Sequence, residues 1–195
     1  MRIIGGQWGG RRLVAPKGDA TRPTTDAHRE ALFNILMNGM GIEPVSVLDL
    51  FAGTGALAWE ALSHGAEHAV FVEADPAALK SIESNAATLG VPTSRYAVVR
   101  TKQVKDWGRL LVSLPQAPFD LIFCDPPYGK DLVSRAFDAL EPHAEKLFKP
   151  GAILVAEIGS EDEVPSVPSG WNSFKDRSYG ITRLIFYRRG ETHSF

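Results

Sequence analysis

The sequence predicts an α/β protein built on a mostly parallel sheet covered by helices on both faces. Three observations carry this. From residue 45 onward, short apolar runs of strand length alternate with stretches of helix length. Those runs are apolar almost throughout, as strands buried on both faces are. Two of them end in turn-forming text, Gly-rich at 53–55 and Pro-rich at 126–127.

In chain order, Arg2-Ile3-Ile4 and Arg12-Leu13-Val14 are β-prone pieces separated by Gly5-Gly6 and Gly9-Gly10, which reads as a hairpin. The segment 1–24 is therefore expected to be a basic β-hairpin extension, and 25–195 the main domain. Pro23 disfavours helix at Arg22, and Thr25 or Asp26 can cap a helix whose apolar positions are Ala31, Leu32, Ile35, Leu36 and Met40. The spacing then predicts strands over 45–51, 68–73, 96–99, 119–124 and 152–158. Helices are predicted over 56–64, 76–89, 104–114 and 132–147. Pro76 suits a first helical turn. The β-prone runs 172–177 and 181–188, separated by Tyr179-Gly180, should pair antiparallel at the sheet edge. Ser160–Gly170 reads as an exposed loop.

Composition excludes several classes. At 195 residues with 44% hydrophobic and 23% charged residues, the chain has ordinary globular proportions. One cysteine, Cys124, permits neither an intrachain disulfide nor a cysteine zinc cluster. It reads as a small buried strand residue rather than a nucleophile. The five histidines are scattered, so no metal site is expected. Apolar runs stay far below the ~20 residues of a membrane span. The start breaks too early for a signal peptide, which points to the cytoplasm. Charge is uneven. Residues 1–29 hold six basic groups against two acids, a local +4, whereas residues 30–195 hold fifteen against twenty-one, or −6. A basic arm on an acidic body suits a polyanion at the N-terminal end.

Two motifs carry chemistry. Asp49-Leu50-Phe51-Ala52-Gly53-Thr54-Gly55 ends the first sheet strand, where glycines let the backbone turn sharply and approach a ligand. The next helix points its N-terminus at the same spot, and open α/β sheets bind ligands beyond the carboxyl ends of their strands. Glu73, closing the second strand, can hold a ribose. Gly53–Ala58 also fits a dinucleotide fingerprint. Asp49 favours a cationic ligand such as S-adenosylmethionine over a pyrophosphate: at ~4 Å and an effective dielectric of 20, opposite charges attract by about 4 kcal/mol before desolvation.

The second motif is Asp125-Pro126-Pro127-Tyr128, closing the fourth main strand. The prolines donate no hydrogen bond and stiffen the turn. The Asp125 carboxylate and the Pro126 carbonyl are two acceptors, matched to the two N–H bonds of an exocyclic amine. Tyr128 offers a face on which a base can stack.

Together, D-x-F-x-G-x-G and D-P-P-Y resemble the class I S-adenosylmethionine-dependent amino-group methyltransferases. The N-terminal text narrows the resemblance: Arg2–Gly6, Gly10–Leu13, Thr21–Thr24 and Arg29–Leu36, continued by Glu60-Ala61-Leu62, Val72-Glu73 and Tyr179-Gly180. These are similar to the bacterial 16S rRNA guanine-N2 methyltransferases that modify guanine 966, over nearly the whole chain. The resemblance implies a Rossmann-like, seven-stranded sheet with its last strand antiparallel. It implies that Asp49, Phe51, Ala52, Gly53, Thr54, Gly55 and Glu73 hold S-adenosylmethionine, and that Asp125, Pro126, Pro127 and Tyr128 form the catalytic turn. The implied partner is 16S rRNA, free or within a partly assembled small subunit, met by a monomer. Arg11, Arg12 and Arg22 are the expected phosphate contacts. Two departures stand out. Ala27 and His28 follow Asp26 where relatives have a basic residue. The third strand ends Val99-Arg100-Thr101, without the acid that reads the donor's adenine in many proteins of the wider fold.

Three other readings remain at this point. A methyltransferase acting on DNA or protein amino groups shares both motifs but needs no arginine-rich hairpin. A nicotinamide dehydrogenase uses Gly53–Ala58 but leaves Asp49 and D-P-P-Y idle. An RNA-binding module without catalysis accounts for the basic arm alone.

Overall fold

Among the described residues seven strands, β1 (Ser46–Leu50), β2 (His68–Glu73), β3 (Tyr96–Arg100), β4 (Phe119–Cys124), β5 (Phe148–Gly159), β6 (Trp171–Tyr179) and β7 (Thr182–Arg189), form a sheet in the order β3-β2-β1-β4-β5-β7-β6. The computed structural model describes residues 1–15, 26–39, 45–127 and 131–190. β1, β2 and β3 pair in parallel, β5 pairs in parallel with β4, and β7 runs antiparallel to both of its neighbours. The expected seven-stranded, mostly parallel α/β architecture with an antiparallel last strand is present. Two compact units, Met1–Thr101 and Lys102–Phe195, divide the chain.

In the first unit, β1 (Ser46–Leu50), β2 (His68–Glu73) and β3 (Tyr96–Arg100) pair in parallel. Val47, Leu48, Leu50, Val70 and Phe71 have no exposed surface, which explains why their text is apolar on both strand faces. The helices are α1 (Asp26–Gly39), α2 (Ala56–Ser63) and α3 (Pro76–Leu89). The limits predicted for α3 hold because its caps are written locally. Asp75 accepts from the Ala77 and Ala78 amides, Pro76 opens the first turn, and Gly90 closes the helix at φ +70°.

The N-terminal pieces pair as a short antiparallel bridge between Arg2 and Arg12. Ile3 donates to the Arg11 carbonyl at 2.9 Å, and Leu13 donates to that of Met1 at 3.1 Å. A single 3₁₀ turn, Gly6–Trp8, lies between them. Ile3, Trp8 and Leu13 are buried, each contributing about 1.5–3 kcal/mol if fully removed from water. The Glu60 carboxylate, itself fully buried on α2, accepts from the amides of Ile4 and Gly5 at 2.7–3.0 Å. Ser63 Oγ donates to the Gly5 carbonyl and accepts from the Trp8 amide. The segment is thus fastened to α2 by buried polar groups that would be costly to strand.

The second unit contains β4 (Phe119–Cys124), β5 (Phe148–Gly159), β6 (Trp171–Tyr179) and β7 (Thr182–Arg189). Its helices depart from expectation. The stretch predicted over 104–114 is a 3₁₀ turn followed by only α4 (Trp107–Leu111), with Pro115 just beyond. The stretch predicted over 132–147 breaks into α5 (Leu132–Leu140), a turn at Glu141–His143 and α6 (Ala144–Leu147). Pro142 has no amide hydrogen to continue the first helix, so the axis must restart. Gly180, at φ +61°, makes the tight link between β6 and β7. Cys124 is buried, as its place in an apolar strand predicts.

Candidate active site

Asp49 is the penultimate residue of β1 and is only 2% exposed. Its Oδ2 accepts from the Ala58 amide in the first turn of α2 at 3.3 Å. Burial pushes its carboxyl up to about 8. The Ala58 hydrogen bond works against that shift, and the negative charge of Glu73 adds to it. The sequence argument treats Asp49 as a standing negative charge; the structure corrects this, because desolvation holds the proton on at neutral pH.

The glycine turn that follows is wound tightly. Phe51, Gly53 and Gly55 all have positive φ, at 60°, 56° and 77°. The Ala52 amide donates to Val72 at 3.0 Å and the Gly55 amide to Ala52 at 2.7 Å. A Cβ at Gly55 would lie 2.6 Å from the Phe71 ring and 2.7 Å from Trp59 Nε1, so this glycine is required by packing. Gly53 is different. A Cβ there would meet only the Phe51 carbonyl, at 4.0 Å, leaving open space beside its backbone.

Glu73 completes this rim. Its Oε2 accepts from the Gly53 amide at 2.7 Å, and its Oε1 accepts from Ala74 at 2.6 Å and Asp75 at 2.8 Å. A carboxylate offers about four lone-pair sites, so acceptor capacity remains on Oε2 beside the open face of Gly53. Thr54 is buried, its hydroxyl 3.5 Å from the Met1 sulfur. Its carbonyl accepts from the Asn85 side chain at 3.1 Å.

In the second unit, the Asp125-Pro126-Pro127 turn leaves the carboxyl end of β4. Asp125 is half-buried, Pro126 buried and Pro127 exposed. Both prolines line a cleft of about 270 Å³ together with Glu157 and Ile158, the two residues before the end of β5 at Gly159, and with Asp162. Tyr128 lies outside the described residues, and so does Arg22. Arg11 and Arg12 are exposed, but their side chains are used differently. Arg11 Nη1 donates to the carbonyls of Thr88 and Leu89, at 3.2 and 3.4 Å, closing the end of α3. Among the described residues no group of three or more His, Cys, Asp or Glu side chains is placed to hold a metal. No described helix is long and apolar enough to cross a membrane.

Three residues escape a reading of the sequence. Glu60 and Asn85 sit in helical text as ordinary polar positions, and nothing local shows that each is fully buried. Glu157 carries a fainter signal: it is the one charge in the apolar run Ala152–Ile158. A buried charge in such a run calls for a reason.

A reversed strand β7 set between β5 and β6 is the topology of the class I methyltransferases, and this fold belongs to that class. The family model described as "Conserved hypothetical protein 95" matches residues 1–188. The Ribosomal RNA small subunit methyltransferase D of Escherichia coli K12 is 34% identical over 189 residues, covering 97% of this chain and 90% of that protein. The protein of the same name from Haemophilus influenzae is 32% identical, covering 96% of this chain and 93% of its own length. Among solved structures, the E. coli methyltransferase yhhF superposes with a TM-score of 0.80 at 34% identity, covering 97% of this chain and 98% of that one. The chain belongs to the Conserved hypothetical protein 95 family of S-adenosylmethionine-dependent methyltransferases, which it shares with these small subunit methyltransferase D proteins.

Proposed function

We propose that this protein is an rRNA methyltransferase that places one methyl group on the exocyclic N2 of a guanine in 16S rRNA, the position corresponding to guanine 966. The observation that carries the reading is that Pro126 and Pro127, which follow Asp125 at the carboxyl end of β4, line a cleft of about 270 Å³, just below the ~300–1,000 Å³ of drug-sized ligand sites. The names of the relatives support an rRNA substrate.

The rim residues fit the donor. Gly53 leaves its backbone face open, Glu73 keeps acceptor capacity for ribose hydroxyls, and Asp49, buried behind the turn, becomes a counter-charge by giving up its proton when a cation binds. S-adenosylmethionine supplies a methyl group whose C–S bond breaks, the electron pair leaving on sulfur, as the N–C bond to the base forms. The protein's own task is to make a poor nucleophile reactive. The N2 lone pair is delocalised into the guanine ring. With both N–H bonds accepted by Asp125 and the Pro126 carbonyl, the amine is oriented and electron density on nitrogen rises. Such positioning can supply up to ~7–11 kcal/mol of a barrier. Asp125 is a better acceptor of the N2 proton after transfer, when the methylated amine carries a positive charge, than before it. Tyr128 stacks on the base, which must leave its own stack to be reached. Arg11, Arg12 and Arg22 meet phosphates.

The test is to incubate the protein with labelled S-adenosylmethionine and small subunits, or free 16S rRNA, from a strain lacking the gene. Mapping by mass spectrometry should place one N2-methylguanine in 16S rRNA. A label on another base, on DNA or on protein overturns the reading.

A further inference from the structure

The β6–β7 hairpin carries a second island of positive charge on an acidic body. Residues 171–189 hold five basic groups against one acid, a local +4, whereas residues 30–170 hold ten against nineteen, or −9. Two of the five are tied up in structure. Arg183 donates to the Asp176 carboxylate at 2.6 Å, and the buried Arg189 pairs with Glu145 on α6. Lys175, Arg177 and Arg188 form no ion pair among the described residues.

The pairing register puts these three on one face of the sheet. Lys175 lies opposite Phe186 and Arg177 opposite Leu184, and Arg188 follows Phe186 by two residues. Asp176 and Arg183 fall on the other face. Phe174, at the bulge between Ser173 and Lys175, joins the basic face. Its ring packs on Phe186 with centroids 6.0 Å apart, and the Arg188 guanidinium sits 5.0 Å from its centroid. The face continues to the cleft beside the proline turn. Glu157, in the cleft wall, pairs with Leu184, which pairs with Arg177. The basic stripe therefore begins two strands from the cleft, roughly 10 Å at the ordinary strand spacing.

Charges and a bulge guard an edge strand against pairing with another strand, and β6 is the last strand of the sheet. Guarding does not call for an aromatic ring in water, yet Phe174 is 45% exposed. A ring stacked with a guanidinium and flanked by two further cations is the combination that holds unpaired nucleic acid: the planes stack on bases and the cations meet phosphates.

We propose that Phe174, Lys175, Arg177 and Arg188 form a docking surface for an unpaired stretch of the RNA substrate, beside the nucleotide whose base enters the cleft. This rests on the rRNA reading above and adds to it a contact surface in the unit that does not contain the N-terminal arginines.

The test measures binding of free 16S rRNA, and of small subunits from a strain lacking the gene, in the presence of S-adenosylhomocysteine. The double variant Lys175→Gln, Arg177→Gln should bind free rRNA about tenfold more weakly and lower the slope of log affinity against log salt by about one to two units. Phe174→Leu keeps an apolar cover over Phe186 but removes the flat ring. It should weaken binding at least about fivefold and leave that slope unchanged. Both variants should raise KM for rRNA and keep the wild-type affinity for S-adenosylhomocysteine. Wild-type affinity for rRNA in either variant overturns the proposal. So does a loss confined to assembled subunits, which makes a protein of the subunit the occupant. If a variant fails to fold, ultraviolet crosslinking of the unaltered protein to 16S rRNA decides. Nucleotide adducts on peptides holding Phe174 or Arg188 support the surface, and adducts only elsewhere overturn it. Unaltered protein that methylates no rRNA overturns the underlying reading and this proposal with it, whereas failure of the proposal alone leaves that transfer intact.

Discussion

The side-chain amide of Asn85, on α3, donates to the carbonyl of Thr54 in the glycine turn at 3.1 Å from a position with no exposed surface. The same side chain donates to the Val14 carbonyl at 3.1 Å and accepts from the Val14 amide at 2.7 Å. One buried residue therefore ties the basic N-terminal segment to the turn proposed to hold the donor. Asn85→Ala strands three backbone groups. The expected loss is about 1–3 kcal/mol of stability, read by urea denaturation, with weaker S-adenosylhomocysteine binding read by calorimetry. Unchanged donor affinity would show that Thr54 is held in place by other contacts.

Asp49 makes a pH prediction. Its carboxyl is raised to about 8 by burial, so between about pH 4 and pH 8 the folded chain binds a proton that the unfolded chain releases. Stability must then fall as pH rises through that window. Asp49→Asn removes this dependence. Its stability relative to wild type should improve steadily from pH 5 to pH 8, followed by thermal melts. The same variant should bind S-adenosylmethionine less well, because the counter-charge to the sulfonium and ammonium is gone. A cation drawing Asp49 into its charged form also predicts proton release on donor binding at pH 7, detectable by calorimetry in buffers of different ionisation heat.

Glu73→Gln separates orientation from simple polarity. The two amides of Ala74 and Asp75 can still be met by the remaining oxygen. The new NH₂ then faces the Gly53 amide, donor against donor. We expect S-adenosylhomocysteine to bind on the order of tenfold to a hundredfold more weakly, the cost of one stranded amide.

Asp125→Ala should divide binding from chemistry. Donor affinity should persist while methyl transfer under single-turnover conditions falls at least about a hundredfold, as it does when a reacting group loses its positioning. Retained turnover would remove Asp125 from the mechanism.

The two N-terminal arginines should behave differently. Arg12→Ala should leave stability unchanged and weaken RNA binding, lowering the slope of log affinity against log salt by about one unit. Arg11→Ala should in addition lower stability by up to about 1 kcal/mol, because Arg11 closes the end of α3.

Six of the strands and the capped helix α3 were legible in the sequence to within a residue or two, because their signals are local; β5 begins four residues before its predicted apolar run, since Pro150 and Gly151 interrupt the text there. The spacing of apolar residues, an Asp before a Pro, and a Gly after the last apolar residue all lie within one element. The broken helices of the second unit were less so; Pro142 is plain in the text, but its effect on a long helical pattern was outvoted by the spacing around it. The two motifs also announced themselves, since glycine and proline turns at strand ends are written in consecutive residues.

What the amino-acid order determined unaided was the kind of fold and the chemistry of the two turns: strand text, helix text and the residues at their junctions. Only the folded chain decided which polar groups became buried and therefore decisive. Asn85 meets Val14 across 71 residues and Thr54 across 31; Glu60 meets Ile4 across 56. Asp49 is as acidic as any aspartate when read as a letter, and becomes a weak acid only once water is removed from it. Burial and long-range partnership are properties of three-dimensional neighbours, and no window of adjacent residues contains them.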